Sequence, residues 1–104
     1  MDRKKTVEHL KRFKARVERE YQVEKMYLFG SRARGKPDTD SDFDLIIVSP
    51  KFRKLTFFQR GARMYDYWNL RYPVDFLCYT PEEFKKLSRQ TSIVSVALKE
   101  GKEI

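Results

Sequence analysis

The sequence contains a single cysteine and a single histidine, which excludes several kinds of catalytic and metal site. One cysteine, Cys78, cannot form an internal disulfide and does not supply a cysteine-rich zinc site. It lies in an apolar segment, which favours a small buried hydrophobic residue over a nucleophile. His9 lies in a basic segment, far along the chain from any acidic cluster. A catalytic triad or a zinc-hydrolase mechanism therefore lacks the residues it needs.

Long hydrophobic runs are also absent from the sequence. No apolar stretch is long enough to cross a bilayer, and the first residues do not have the pattern of a signal peptide. The sequence therefore predicts a cytoplasmic protein that does not enter membranes. A length of 104 residues predicts one small domain over 1–104, with room for one active site but not for a separate module that binds a large substrate.

Positive charge is in excess, with 23 Lys and Arg against 15 Asp and Glu and a net charge of +8. Such an excess suggests nucleic-acid binding. The basic residues are spread along the chain, however, and are densest near its N-terminus, where they are typical of a solvated helix face. A solvated basic helix is therefore favoured over an RNA-binding stripe. A basic surface could also attract nucleotide phosphates or an acidic protein partner.

Hydrophobic periodicity predicts a small α/β (α+β) domain with helices packed against a mixed sheet. Apolar residues at three- and four-residue spacing, from Val7 to Tyr21, predict the first helix. The run from Phe43 to Val48 is apolar on both faces after its second residue, as in a central strand. The predicted strands are Met26–Phe29, Phe43–Val48 and Val74–Tyr79, and the predicted helices are 3–20, Thr56–Leu70, one that begins after Thr80, and one near Thr91–Glu100.

Local signals predict how three of these helices begin, end and pack. Thr80 is expected to cap the third helix, with Glu83 completing a capping box, and Gly101 is expected to end the last one. The predicted buried residues of the last helix are Ile93, Val96 and Ala97. The second helix is expected to pack Phe57, Gly61, Met64, Tyr65 and Trp68 on one side, with Gly61 allowing close approach to the sheet. The aromatic residues Phe57, Phe58, Tyr65, Tyr67 and Trp68 are predicted to be mainly core, with part of them left as a patch for a partner.

Residues Gly30 to Lys36 follow a predicted strand and match the P-loop pattern G-x-x-x-x-G-K. A P-loop requires Ser or Thr at the next position, because that hydroxyl binds magnesium. Here the position is Pro37, which has neither a hydroxyl nor a backbone N–H for phosphate. The sequence therefore excludes a P-loop.

Aspartate occupies every second position of the range 38–44, as ligands do in a calcium loop. A loop that starts at Asp38 requires Gly at its sixth position and Glu at its twelfth, but the sequence has Phe43 and Ser49 there. An EF-hand is therefore excluded. Asp38 and Asp40 are interpreted as turn residues.

The last two aspartates of this stretch have the spacing of a metal site. Asp42 and Asp44 stand two residues apart at the start of a predicted strand, so their side chains point to the same face. Mg²⁺ prefers oxygen ligands and needs only one or two protein carboxylates. Asp75 is a third carboxylate in an otherwise apolar predicted strand, where an unpaired charge would be costly. If the two strands are neighbours, the three carboxylates form a site for two metal ions.

The glycine-rich half of the stretch has the features of a phosphate site. Gly30 lets phosphate approach the backbone, and Ser31 offers a hydroxyl and an amide at the start of a turn. Arg32 adds charge-assisted hydrogen bonds, whereas Arg34 is expected to face solvent. Phosphate binding and metal binding are thus predicted side by side.

Gly30-Ser31, followed after ten residues by Asp42-x-Asp44, resembles the signature of the DNA polymerase β-like nucleotidyltransferase superfamily. Within it, GSRARG…SDFDL is similar to the minimal nucleotidyltransferase (MNT) proteins of prokaryotes. The resemblance covers most of the chain, and Asp75 falls where the family has its third carboxylate. It implies the nucleotidyltransferase fold, with a three-stranded mixed sheet in the order 1-2-3 flanked by helices.

The resemblance also implies an activity, namely Mg²⁺-dependent transfer of AMP from ATP to an acceptor hydroxyl with release of pyrophosphate. Two Mg²⁺ ions are expected. The implied catalytic and metal-binding residues are Asp42, Asp44 and Asp75, and those implied to hold the β- and γ-phosphates are Gly30, Ser31 and Arg32. Asp75 is also expected to orient or deprotonate the attacking hydroxyl.

MNT proteins are often paired with HEPN-domain proteins as antitoxin and toxin, and some adenylylate a tyrosine of the toxin. The resemblance therefore implies an antitoxin whose acceptor is a tyrosine of a HEPN partner. The alternative is a non-catalytic nucleotide-binding antitoxin that neutralises its partner by docking, and a homo-oligomer is also compatible with the sequence. A third hypothesis is a basic RNA-binding domain, whose salt-dependent affinity would survive loss of Asp42 and Asp44.

Overall fold

The structure is a computed structural model that describes residues 3–33 and 42–104. The predicted strand over 43–48 and the predicted strand over 74–79 have the bounds expected from the sequence. The elements follow in the order α1 (Arg3–Glu18), β1 (Lys25–Phe29), β2 (Phe43–Val48), a 3-10 helix (Pro50–Lys54), α2 (Phe57–Tyr65), β3 (Val74–Tyr79), α3 (Pro81–Ser88), α4 (Ile93–Glu100) and β4 (Lys102–Glu103).

The described residues form one mixed sheet of four strands in the order β3-β2-β1-β4. β2 lies antiparallel to β1 and parallel to β3, as the expected 1-2-3 order requires. The sheet thus has four strands instead of the three that the sequence predicts, because β4 pairs with β1. Lys102 and Glu103 pair with Leu28 and Tyr27 through their backbones, and two exposed charged residues carry no hydrophobic pattern that would reveal a strand.

Helices cover both faces of this sheet. On one face α1 packs its Leu10, Phe13 and Val17 against β1, β2 and β3, and Met64 of α2 joins the same cluster. On the other face the cluster holds Phe84 of α3, with Val94 and Ala97 of α4 and side chains of β1 and β2. The sheet is therefore the middle layer, and its strand ends are where polar residues become accessible.

The helix α2 lies along the outer edge of β3, where an unpaired strand would otherwise expose its backbone. The Tyr65 hydroxyl donates to the Val74 carbonyl, and the Arg60 guanidinium donates to the Cys78 carbonyl at 3.1 Å. Between them Gly61 faces Phe76, where an added Cβ would be 3.8 Å from the carbonyl oxygen. That is an ordinary contact, so close approach does not require glycine here.

The helix ends confirm some predictions and correct others. Thr80 caps α3 with a complete capping box to Glu83, and α4 ends at Gly101 as predicted. The second helix is shorter than predicted and ends at Tyr65.

The predicted buried face of the last helix is wrong at two of its three positions. Ile93 and Val96 are 47% and 48% exposed, whereas Val94 and Ala97 are buried. Both pairs are three residues apart, and only contact with α3 and the sheet determines which pair points inward.

No helix within residues 3–33 and 42–104 is long and apolar enough to span a membrane.

Candidate active site

Two of the three predicted carboxylates are direct neighbours across the sheet. Because β2 and β3 are parallel and in register, Asp44 stands opposite Asp75. On its other side Asp44 stands opposite Phe29, the last residue of β1, so that Gly30 follows immediately beside it. The backbone pairing thus places Gly30, which is predicted to bind phosphate, next to the predicted metal ligands Asp44 and Asp75.

The conformation of Gly30 explains why glycine is needed at this point. It has a φ of +77°, in the left-handed region that side chains rarely adopt. An added Cβ would also lie only 2.4 Å from the Asp44 Oδ2 atom. The chain then turns through Ser31, and the turn closes with a hydrogen bond from the Ala33 amide to the Gly30 carbonyl at 3.1 Å. The Asp44 carboxylate therefore lies directly against the Gly30 backbone, where phosphate is expected to approach.

The Asp44 carboxyl is electrostatically unfavourable in its charged form. Its pKa is raised above the ordinary value, first by partial burial, and then by the negative charges of Asp75 and Asp42. Within the described residues no Lys or Arg forms an ion pair with Asp44. A bound cation would relieve the repulsion that these three groups exert on each other.

Two further predicted residues, Asp42 and Ser31, lie at the solvent-accessible mouth of the site. Asp42 immediately precedes β2 and is exposed, as is Ser31 on the turn. The start of β2 is fixed to the end of the α2–β3 connection, since the Phe43 amide donates to the Pro73 carbonyl at 2.9 Å. The predictions for Arg34, Asp38 and Asp40 concern residues outside the described part of the chain.

Asp75 is exposed on the edge strand. The expectation that its charge would be costly in an apolar strand is therefore wrong, because water can solvate it. Its place beside Asp44, rather than its burial, is what brings it into the site.

Arg32 lies in a different environment from that of a simple surface phosphate ligand. Its side chain is 6% exposed, and its guanidinium carbon lies 4.2 Å from the ring centroid of Phe43 and 4.5 Å from that of Tyr72. These are cation–π contacts that hold the turn after β1 against β2 and the segment before β3. The phosphate-binding role of Arg32 stays a prediction.

An aromatic pocket opens beside the two carboxylates. Its volume is about 610 Å³, within the usual range for small-molecule sites. The residues that line it are Phe29, Asp44, Phe57, Phe58, Gly61, Ala62, Tyr65, Asp75, Phe76, Leu77 and Ile93. Of the aromatic group predicted to be mainly core, Tyr67 and Trp68 do pack against the core, whereas Phe57, Phe58 and Tyr65 are exposed at this pocket. The sequence predicts the carboxylates of this site but not the exposed aromatic residues that line the pocket beside them.

The donor atoms suit magnesium, although their present placement is not a closed metal site. Among the described residues no three Asp, Glu, His or Cys side chains are grouped tightly enough to hold a metal ion. The carboxylates of Asp42, Asp44 and Asp75 are nonetheless close enough to raise the pKa of the middle one. Hard oxygen donors, incomplete coordination and access from solvent fit Mg²⁺, which keeps several ligands from water and phosphate.

Cys78 takes no part in this site. It is buried in β3, and burial raises the pKa of its thiol to about 12, even though the nearby Arg60 acts to lower it. The prediction of a small buried hydrophobic residue is confirmed.

Solved structures of known proteins align with the fold of this chain. A candidate nucleotidyltransferase from Sulfolobus solfataricus has a crystal structure that aligns with a TM-score of 0.60 and 26% identity, covering 76% of this chain and 70% of that one. BolA1 from Arabidopsis thaliana aligns with a TM-score of 0.54 at 18% identity over 72% of this chain and 94% of that one, a likeness of fold alone. No curated protein sequence matches the chain significantly.

The nucleotidyltransferase domain family matches residues 10–104, which include every predicted site residue. The match, the mixed sheet and the neighbouring carboxylates agree with one another. The chain belongs to the nucleotidyltransferase domain family.

Proposed function

We propose that this protein is a Mg²⁺-dependent nucleotidyltransferase that moves AMP from ATP to an acceptor hydroxyl and releases pyrophosphate. The observation that carries the proposal is the parallel pairing of Asp44 with Asp75, directly beside the left-handed Gly30. One group of residues can thereby face a triphosphate, its metal ions and an acceptor. Membership of the family supports nucleotidyl transfer in general, and the choice of AMP is part of the proposal.

Each residue has a defined part in this proposal. The half-buried backbone at Gly30 and the exposed Ser31 hydroxyl bind phosphate oxygens, with Arg32 as the third predicted contact. Asp42 and Asp44 hold metal, and Asp75 helps to hold the second ion. When bound, Mg²⁺ supplies positive charge that neutralises the oxygens of the reacting phosphates.

The transfer itself requires that one hydroxyl be aligned and deprotonated. Its oxygen forms a bond to the α-phosphorus while the bond from that phosphorus to the pyrophosphate oxygen breaks. Asp75 orients the hydroxyl and accepts its proton. The exposure of Asp75 beside the aromatic pocket supports this role, because an acceptor can reach it from solvent.

We further propose that the acceptor is a tyrosine of a HEPN-domain toxin and that this protein is the antitoxin. Support comes from the similarity of GSRARG…SDFDL to MNT proteins and from the exposed aromatic residues that line the pocket next to Asp75. A pocket lined by Phe57 and Tyr65 offers an apolar, π-rich surface that suits an aromatic side chain.

Labelled ATP tests the proposal directly. The wild-type protein, Mg²⁺ and the HEPN partner should yield labelled partner, and Asp42→Ala or Asp44→Ala should abolish the labelling without unfolding the domain. Circular dichroism of each variant provides the folding control. Full transfer activity in either variant would contradict the proposal.

A second candidate function is docking without chemistry, favoured by the 88% exposure of Phe58. Phe58 lines the same pocket as the exposed Phe57, Tyr65 and Ile93, and an exposed apolar patch of this kind is typical of an interaction surface. In this case the nucleotide would serve structure or regulation. A tight complex that forms and silences the toxin while the partner stays unlabelled would favour docking.

A further inference from the structure

The aromatic pocket is one end of a longer surface. A second groove, of about 450 Å³, shares Phe57 with the pocket and continues towards α3, where Lys86 and Gln90 line it. A third groove shares Lys86 and Gln90 with the second and adds Lys85 and Arg89. The three grooves therefore lie next to one another between the candidate active site and α3, each sharing lining residues with the next, and we call them the track.

The two ends of this track differ in chemistry. Next to the carboxylates it is apolar and exposed, with Phe57 at 44%, Phe58 at 88% and Ile93 at 47%. Because Phe58 has little to pack against except the edge of the Phe57 ring, its exposure has no explanation in the core. We call these three residues the apolar end.

The other end is positively charged. Its acidic residues are already paired, Glu82 with Arg53 and Glu83 with Arg60. Its own cations are Lys85, Lys86 and Arg89, which we call the basic strip. In the part of the chain that the structure describes, no carboxylate pairs with them. The strip therefore presents unneutralised positive charge to whatever lies in the track.

We propose that this track is the docking surface for an acidic partner protein, which places apolar side chains on the apolar end and carboxylates on the basic strip. The partner's identity as the hydroxyl-bearing substrate rests on the proposed function. A second copy of this chain suits the basic strip less well than an acidic protein does, because each copy carries a net charge of +8 and like charges repel. Docking along the track brings the partner's surface to the pocket that Asp44 and Asp75 line.

Calorimetric titration of the purified HEPN partner tests the surface. Phe58→Ser and the double variant Lys85→Glu/Lys86→Glu should each weaken the Kd at least tenfold, because one removes an apolar contact and the other reverses the charge of the strip. The matched control is Lys4→Glu/Lys11→Glu, which makes the same change in net charge on α1, across the sheet. It should leave the Kd within about twofold of wild type.

Several results would overturn the proposal. One is an equal weakening of partner binding by both double variants, and another is an unchanged Kd for both Phe58→Ser and Lys85→Glu/Lys86→Glu. The others are no partner binding by the wild type and a dimer of this chain that Phe58→Ser dissociates. If the wild type transfers no label but its binding depends on Phe58 and the basic strip, the proposed function fails and the docking surface stands.

Discussion

Charged side chains are paired at one end of β3 and unpaired at the other. At its C-terminal end the nearly buried Arg60 donates to the carbonyls of Phe52, Leu55 and Cys78 and to the Glu83 carboxylate at 2.6 Å. At its N-terminal end Asp75 stands beside Asp44, and no described cation pairs with either. One end is neutralised within the protein, whereas the other leaves negative charge unpaired.

The pKa values follow this difference. Burial acts to raise the pKa of Glu83, but the Arg60 side chain and the Thr80 amide outweigh it and the pKa is lowered. At Asp44 burial and two neighbouring carboxylates act in the same direction and the pKa is raised. The ion pair and hydrogen bonds of Arg60 therefore stabilise the fold. The unpaired carboxylate of Asp44 destabilises it, and a bound cation would offset that destabilisation.

The largest effect on stability is expected from Arg60→Ala. The change leaves several carbonyls and a partly buried carboxylate without their donor, so unfolding should become easier by about 3 kcal/mol. Urea denaturation measures it. The control is Arg53→Ala, which breaks only the exposed pair with Glu82 and should change stability little. An equal loss in both variants would remove the distinction between a structural and a surface ion pair.

A smaller loss of stability, together with a loss of ATP affinity, is expected from Gly30→Ala. The left-handed backbone costs about 1–2 kcal/mol for a residue with a side chain, and the Cβ would displace the Asp44 carboxylate. ATP affinity should fall together with stability. Gly61→Ala is the matched control, because its Cβ meets only ordinary contacts and alanine should stabilise α2 by up to about 1 kcal/mol. Equal responses at the two glycines would contradict the geometry described for Gly30.

The pH dependence of stability should differ in sign between the two carboxyls. The stabilising contribution of Asp44 is complete below its ordinary pKa of 3.8 and is lost as pH rises through its raised value. That of Glu83 is complete above its ordinary 4.5 and is lost as pH falls through its lowered value. Relative to wild type, Asp44→Asn should therefore gain stability with rising pH, and Glu83→Gln should lose it. Unfolding midpoints measured across the acidic range that give the same sign for both variants would be the contrary result.

Sequence reasoning succeeded where the signal is local. The bounds of β2 and β3, the Thr80 cap and the end at Gly101 each depend on a few adjacent residues, and all four are confirmed. The family resemblance identified the residues that the structure brings together at Asp44.

What the sequence did not predict depends on distant contacts. Arg60 on α2 has no local sequence pattern that indicates burial, which is explained by its hydrogen bonds to the carbonyls of Phe52, Leu55 and Cys78. The cation–π position of Arg32 depends on Tyr72, forty residues away in the chain. The two-residue β4 exists only because β1 has a free edge beside it. Register, long-range packing and edge pairing are properties of the assembled sheet.

Thermal unfolding of the wild type and Asp44→Asn at neutral pH, each with and without Mg²⁺ and ATP, tests the central claim most directly. Without ligand Asp44→Asn should unfold at the higher temperature, because it lacks a charge that partial burial and then repulsion from Asp75 and Asp42 make unfavourable. With Mg²⁺ and ATP the wild type should gain stability and Asp44→Asn should not. A less stable Asp44→Asn that still responds to the ligand as the wild type does would contradict a cation site at Asp44.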